Sequence, residues 1–82
     1  MESIEPIRYS IVVPLYNEEQ NVGALYSRIV MAMEEFDDRF QIIFVDDGSR
    51  DGTYGTVSEI CQSDSRVVLI RLRRNFGQTA AL

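Results

Sequence analysis

Histidine is absent from the 82 residues, which removes imidazole acid/base chemistry and imidazole metal ligation from this segment. Lysine is absent too, so all eight positive charges are Arg, and the net charge of −5 opposes the non-specific pull of nucleic acid on a basic surface. The single Cys61 has no internal disulfide partner, which fits a reducing compartment. The opening MESIEPIRYS lacks the apolar centre of a signal peptide. No apolar run approaches the ~20 residues that span a bilayer. These absences point to work in water and to the cytoplasm. No G-x-G-x-x-G and no G-x-x-x-x-G-K-[ST] occurs, which sets aside the dinucleotide fingerprint and the P-loop.

What is present is an ordinary globular composition, 45% hydrophobic and 26% charged. The most informative stretch is Ile42 to Thr53, IIFVDDGSRDGT, in which an apolar run meets two adjacent carboxylates and then a Gly/Ser/Asp-rich turn. That is the pattern of a parallel strand buried on both faces and spilling into a functional loop. Tyr9 to Pro14 (YSIVVP) reads as an earlier strand of the same kind, ended by Pro14, which cannot donate to the ladder. Met1 to Arg8 is a polar lead-in. Asn17 is a candidate N-cap with Gln20 three residues on. Val22, Leu25, Tyr26, Ile29, Met33 and Phe36 then recur at helical spacing. The second strand covers Phe40 to Val45. Asp51 is a candidate N-cap for a shorter helix carrying Val57, Ile60 and Cys61 inward, broken at Ser63 to Ser65. Arg66 to Leu72 holds a third strand, and Gln78 opens a third helix. The order β-α-β-α-β-α predicts an α/β fold, a Rossmann-like three-layer parallel sheet with right-handed crossovers.

Each expected strand ends in a polar cluster: Pro14-Leu15-Tyr16-Asn17-Glu18, Asp46-Asp47-Gly48-Ser49, and Arg73-Arg74-Asn75-Phe76-Gly77. In a parallel sheet these ends share one edge, with neighbouring strands ~4.8 Å apart, and ligands of open α/β sheets sit outside that edge. The side chains suit a nucleotide. Tyr16 offers a face for base stacking, and Asp47 a carboxylate that accepts from base N–H groups. Glu18 is placed for ribose hydroxyls, and Arg74 or nearby backbone N–H groups for phosphate oxygens. Blander roles compete for the same residues. Asp46 and Asp47 suit a turn whose carboxylates cap backbone N–H groups, Asn17 and Glu18 suit a helix start, and the Arg cluster suits a solvated face.

Taken together, strand-P-x-Y-N-E, strand-V-D-D-G-S-x-D-G-T and R-N-x-G resemble the amino-terminal half of the family 2 glycosyltransferases with the GT-A fold. R-R-N-F-G-Q-T-A-A-L looks most like the dolichol- and polyprenyl-phosphate sugar transferase branch. The resemblance covers Ile11 to Leu82. It implies that Pro14, Tyr16, Asn17 and Glu18 line a nucleotide-sugar site, that Val45 and Asp47 contact base and ribose with Asp46 partly structural, and that Asn75, Gly77 and Gln78 border it. It also implies an inverting transfer from a UDP- or GDP-sugar to an acceptor such as a polyprenyl phosphate, with Mg or Mn held through a later D-x-D motif. On this reading residues 9–82 are a partial domain that stops before the metal ligands and the catalytic carboxylate. Membrane contact would come through regions beyond Leu82, at the cytoplasmic face. Two other readings are a non-catalytic nucleotide-binding fragment and a receiver-like signalling module. F-V-D-D-G resembles the acidic pair of the latter, but that fold also needs a Lys that this chain lacks.

Overall fold

The structure, a computed structural model, describes residues 6–72. Its elements run β1 (Tyr9–Leu15), α1 (Val22–Phe36), β2 (Phe40–Asp46), α2 (Thr53–Ser63) and β3 (Val67–Arg71). The helix expected from Gln78 lies outside the described residues. The three strands form one parallel sheet in the order β1-β2-β3. Each crossover steps to the next strand in the same direction, so right-handed connections return both helices to the same face of the sheet.

That face carries the core. Register rows Ile11-Ile42-Val67 and Val13-Phe44-Leu69 point into it, where they meet Val22, Leu25, Tyr26, Ile29 and Met33 of α1 and Val57, Ile60 and Cys61 of α2. Phe40, Ile42, Phe44, Val22 and Val57 are almost wholly buried, each contributing about 1.5–3 kcal/mol of apolar burial. The apolar stripe expected along α1 is the one observed, except at its end. There Phe36 is 66% exposed and lies against the Tyr9 ring at 5.2 Å.

The alternate rows, Val12-Ile43-Val68 and Pro14-Val45-Ile70, point the other way. Val12 remains 61% exposed there, so β1 is not buried on both faces as its unbroken apolar run suggested. The run supplies two apolar faces, and the described residues cover one of them. Pro14 does not end β1 either. The strand continues to Leu15, because β1 is an edge of this sheet and a missing N–H can be tolerated there.

Both helices lead into the following strand through the same device, Asp-x-Arg. Asp37 accepts the Arg39 backbone N–H at 3.0 Å and takes the Arg39 guanidinium on both oxygens. Asp64 does the same for Arg66, at 3.0 Å from its backbone N–H and 2.9 Å from Nε and Nη2. Each aspartate sits in extended backbone just past the helix end, where its own N–H still donates to the last helical turn. Arg66 reaches on to Glu34 of α1 at 3.1 Å and stacks over the Phe40 ring, while the Tyr26 hydroxyl donates to Asp64. These turns close the sheet edge opposite the polar strand ends.

Candidate functional site

At the carboxyl edge the ladder runs one step past the strands. Asp47 N–H donates to the Leu15 carbonyl at 2.9 Å and Leu72 N–H to the Asp46 carbonyl at 2.9 Å. Tyr16 and Asp47 therefore follow directly on the paired residues Leu15 and Asp46, at neighbouring positions on one rim. Asn75, Gly77 and Gln78 lie outside the described residues.

Adjacent carboxylates have opposite fates here because strand side chains alternate. Asp46 faces the helices and is fully buried. Its Oδ1 accepts Ser49 N–H at 3.0 Å across a turn whose Gly48 has φ 76°, a left-handed conformation suited to glycine. Its Oδ2 has no hydrogen-bond partner and faces Arg71 Nε at 3.7 Å, the guanidinium itself lying 4.3 Å from the Tyr54 ring of α2. Asp47 is exposed and its carboxylate engages no described residue. Tyr16 is 45% exposed beside it, with Pro14 and Val45 one row back. Of the residues singled out, Pro14, Tyr16, Val45 and Asp47 share this rim, whereas Asp46 supports it from beneath.

The loop after β1 and the loop after β2 are locked together. Asn17 N–H donates to Ser49 Oγ at 2.8 Å, Glu18 N–H to Thr53 Oγ1 at 2.8 Å and Glu19 N–H to Asp51 Oδ2 at 3.2 Å. In return Arg50 N–H donates to Asn17 Oδ1 at 2.8 Å and Gly52 N–H to Glu19 Oε1 at 3.0 Å. The Thr53 hydroxyl in turn donates to Asp51 Oδ1, and that hydrogen bond holds the Asp51 carboxyl below its usual range. A Cβ on Gly52 would stand 2.6 Å from Glu19 Oε2, so a side chain there would push the Glu19 carboxylate away from the Gly52 N–H that it accepts.

This lock overrides the local helix-start signals. Asn17 is not the N-cap of α1. Its side-chain Oδ1 is taken by the Arg50 N–H, its backbone is left-handed at φ 52°, and the helix begins at Val22 after an N-cap at Asn21. Glu18 accepts from Asn21 Nδ2 at 3.1 Å, and its backbone carbonyl takes Val22 N–H. Asp51 is likewise not the N-cap of α2. It sits one residue earlier and accepts Thr53 N–H at 2.9 Å, while Gly52 occupies the cap position. Ser49, Glu19, Thr53 and Arg71 were not singled out from the sequence. The signal for Ser49 and Thr53 was the density of short polar side chains in S-x-D-G-T, which serve a partner loop 32 to 35 residues away.

Among the described residues no three Asp, Glu, His or Cys side chains converge in a way that would hold a metal ion. The described part of this edge therefore does not fit a cation by itself. None of the described helices is long and apolar enough to cross a membrane.

Comparison with known proteins places this geometry. The sequence model of the family described as "Glycosyl transferase family 2" matches residues 10–82. Dodecaprenyl-phosphate galacturonate synthase of Rhizobium johnstonii is 39% identical over 82 residues, a match spanning 99% of this chain and 24% of that protein. Undecaprenyl-phosphate 4-deoxy-4-formamido-L-arabinose transferase of Pseudomonas syringae is 44% identical over 79 residues, spanning 94% of this chain and 23% of that protein. Among solved structures, a mannosyltransferase from Pyrobaculum calidifontis in complex with GDP-Man and Mn2+ superposes with a TM-score of 0.60 at 25% identity, covering 95% of this chain and 23% of that one. The chain thus spans about a quarter of the length of the curated relatives it matches.

Proposed function

The chain belongs to glycosyl transferase family 2, and from that membership we propose that the full-length protein moves a sugar from a nucleoside-diphosphate donor onto a polyprenyl phosphate, this segment binding the nucleotide. One observation carries the binding part. Tyr16 and Asp47 stand exposed side by side on the carboxyl rim of a parallel sheet, while the adjacent Asp46 is buried. An exposed carboxylate beside a half-exposed aromatic face matches a base that stacks and donates N–H groups.

In this reading Tyr16 stacks on the base and Asp47 accepts from its N–H groups. Pro14 and Val45 floor the pocket, Glu18 meets the ribose, and Asn75, Gly77 and Gln78 border the diphosphate. Asn17 and Asp46 hold the two loops. The polyprenyl-phosphate acceptor is supported by the names of the relatives. Donors of the UDP and GDP classes both satisfy the Asp47 carboxylate. An acceptor oxygen attacks the anomeric carbon in line, the sugar's bond to the nucleoside diphosphate breaks, and the configuration inverts. A divalent cation, which the mannosyltransferase neighbour holds together with GDP-Man, neutralises the leaving diphosphate when bound. Among the described residues none is assigned as its ligand or as the catalytic base.

Calorimetric titration of UDP and of GDP into the full-length protein with Mn2+ tests the site. One nucleotide should bind, and Asp47→Ala should weaken it by about tenfold or more, the loss of a charge-assisted hydrogen bond. Unchanged affinity in Asp47→Ala would remove Asp47 from the site.

A further inference from the structure

We propose that Ser49 and Thr53 are positioning residues of the nucleotide site: their hydroxyls set where Tyr16 and Glu18 stand relative to Asp47, without touching the ligand. The inference rests on the nucleotide-site reading above and adds to it a pair of residues that make no rim contact. Both side chains are buried polar groups, Ser49 at 6% exposure and Thr53 at 0%. Each hydroxyl accepts a backbone N–H from the other loop, Asn17 for Ser49 and Glu18 for Thr53, both at 2.8 Å. These two residues directly follow Tyr16. Asp47, on the other loop, is two residues before Ser49. The two bonds therefore fix the distance between the stacking face and the base-reading carboxylate. The sheet register alone would not do this, because Tyr16 lies past the last ladder bond, which runs from Asp47 N–H to the Leu15 carbonyl.

The Asn17 backbone shows why the bonds are needed. With φ 52° it turns away from the strand direction into the left-handed region, which Asn enters more readily than other non-glycine residues. The Ser49 acceptor on its N–H and the Arg50 donor on its side-chain oxygen hold it there. The Thr53 hydroxyl works as a relay, accepting from Glu18 N–H while donating to Asp51, which in turn takes Glu19 N–H. Linked hydrogen bonds of this kind strengthen one another, and removing one member leaves buried groups unsatisfied.

The test uses the full-length protein with Mn2+, titrated with whichever of UDP and GDP binds, alongside thermal melts. Thr53→Val keeps the shape and deletes the hydroxyl, Thr53→Ser restores it, and Ser49→Ala removes the second bond. The expected result is a cooperative melt for every variant, affinity reduced about tenfold in Thr53→Val and Ser49→Ala, and recovery in Thr53→Ser. Misplacing a reacting or binding group by ~1 Å is enough for losses of this order. In a Tyr16→Ala background, which has no stacking face left to position, Thr53→Val should cost clearly less than it does alone. A fully additive effect, or wild-type affinity in folded Thr53→Val and Ser49→Ala, would overturn the inference. Loss of the fold in both variants would overturn it as well, since the hydroxyls would then serve folding and not placement. Asp47→Ala separates the two ideas. If it weakens binding while the hydroxyl variants do not, the nucleotide site stands and the positioning role falls.

Discussion

Gly48 and Asp64 each hold a position for a physical reason that a single substitution exposes. At φ 76°, Gly48 lets the chain turn so that Ser49 N–H reaches back to Asp46. Gly48→Ala should cost about 1–2 kcal/mol in denaturant unfolding of the full-length protein, and Gly48→Asn less, since Asn tolerates the left-handed region. Asp64 is held well below the usual carboxylate range, first by the Arg66 guanidinium and then by the Tyr26 hydroxyl, against the opposing effect of partial burial. The same Asp64 bond pushes the Tyr26 phenol up. A depressed folded-state pKa means that the stabilisation is fully present above the unfolded value of ~3.9 and is lost as pH falls through the folded value. Asp64→Asn should therefore lower stability at pH 7 by about 1–3 kcal/mol, and the gap from wild type should narrow as the pH drops below ~4. Urea titrations at pH 7 and pH 3 measure it, and an equal gap at both would contradict the assignment.

At the scale of elements, the sheet is closed differently at its two edges. At the amino-terminal edge Asp37 and Asp64 each bind the arginine two residues ahead, and the second of these turns is tied to α1 through Glu34 and Tyr26. The carboxyl edge uses contacts between elements. Arg71 at the end of β3 lies between the buried Asp46 of β2 and the Tyr54 ring of α2. Asp46 is buried with one oxygen unpartnered, so Arg71 supplies the charge that makes its burial tolerable. Arg71→Ala should destabilise by about 1–3 kcal/mol, but by much less in an Asp46→Asn background, where no charge remains to compensate. A double-mutant cycle read by thermal melts decides it, and additivity would show that Arg71 acts only through its stacking on Tyr54.

For the whole molecule, the decisive feature is a sheet of which the described residues cover one face. Val12, Val68 and Ile70 are 61%, 40% and 45% exposed on the other. An apolar sheet face of this kind calls for a second covering layer. The 82-residue segment prepared alone should bind a hydrophobic dye, associate with rising concentration in sedimentation, and transfer no sugar from UDP- or GDP-linked donors. A monomeric segment with no dye binding would show that the face is tolerated in water, and measurable turnover would place the catalytic groups within it.

The order of elements and the parallel sheet were legible because Ile11 to Val13, Ile42 to Val45 and Val67 to Ile70 are apolar runs separated by a helical stripe. Periodicity is a local property that survives without knowledge of partners. The rim was legible too, since strand ends in such a sheet must share an edge. What sequence could not tell was which polar residue serves its own turn and which serves another. Asn17 and Asp51 carry good capping chemistry, yet Asn17 is claimed by a loop distant in the chain and Asp51 divides its oxygens between its own helix start and that loop, because a donor aligned in space competes equally with one nearby in sequence. The split between Asp46 and Asp47 was equally a tertiary outcome. Strand alternation makes two adjacent carboxylates differ, but only the packing of both helices on one face determined which of them is buried and which is left exposed.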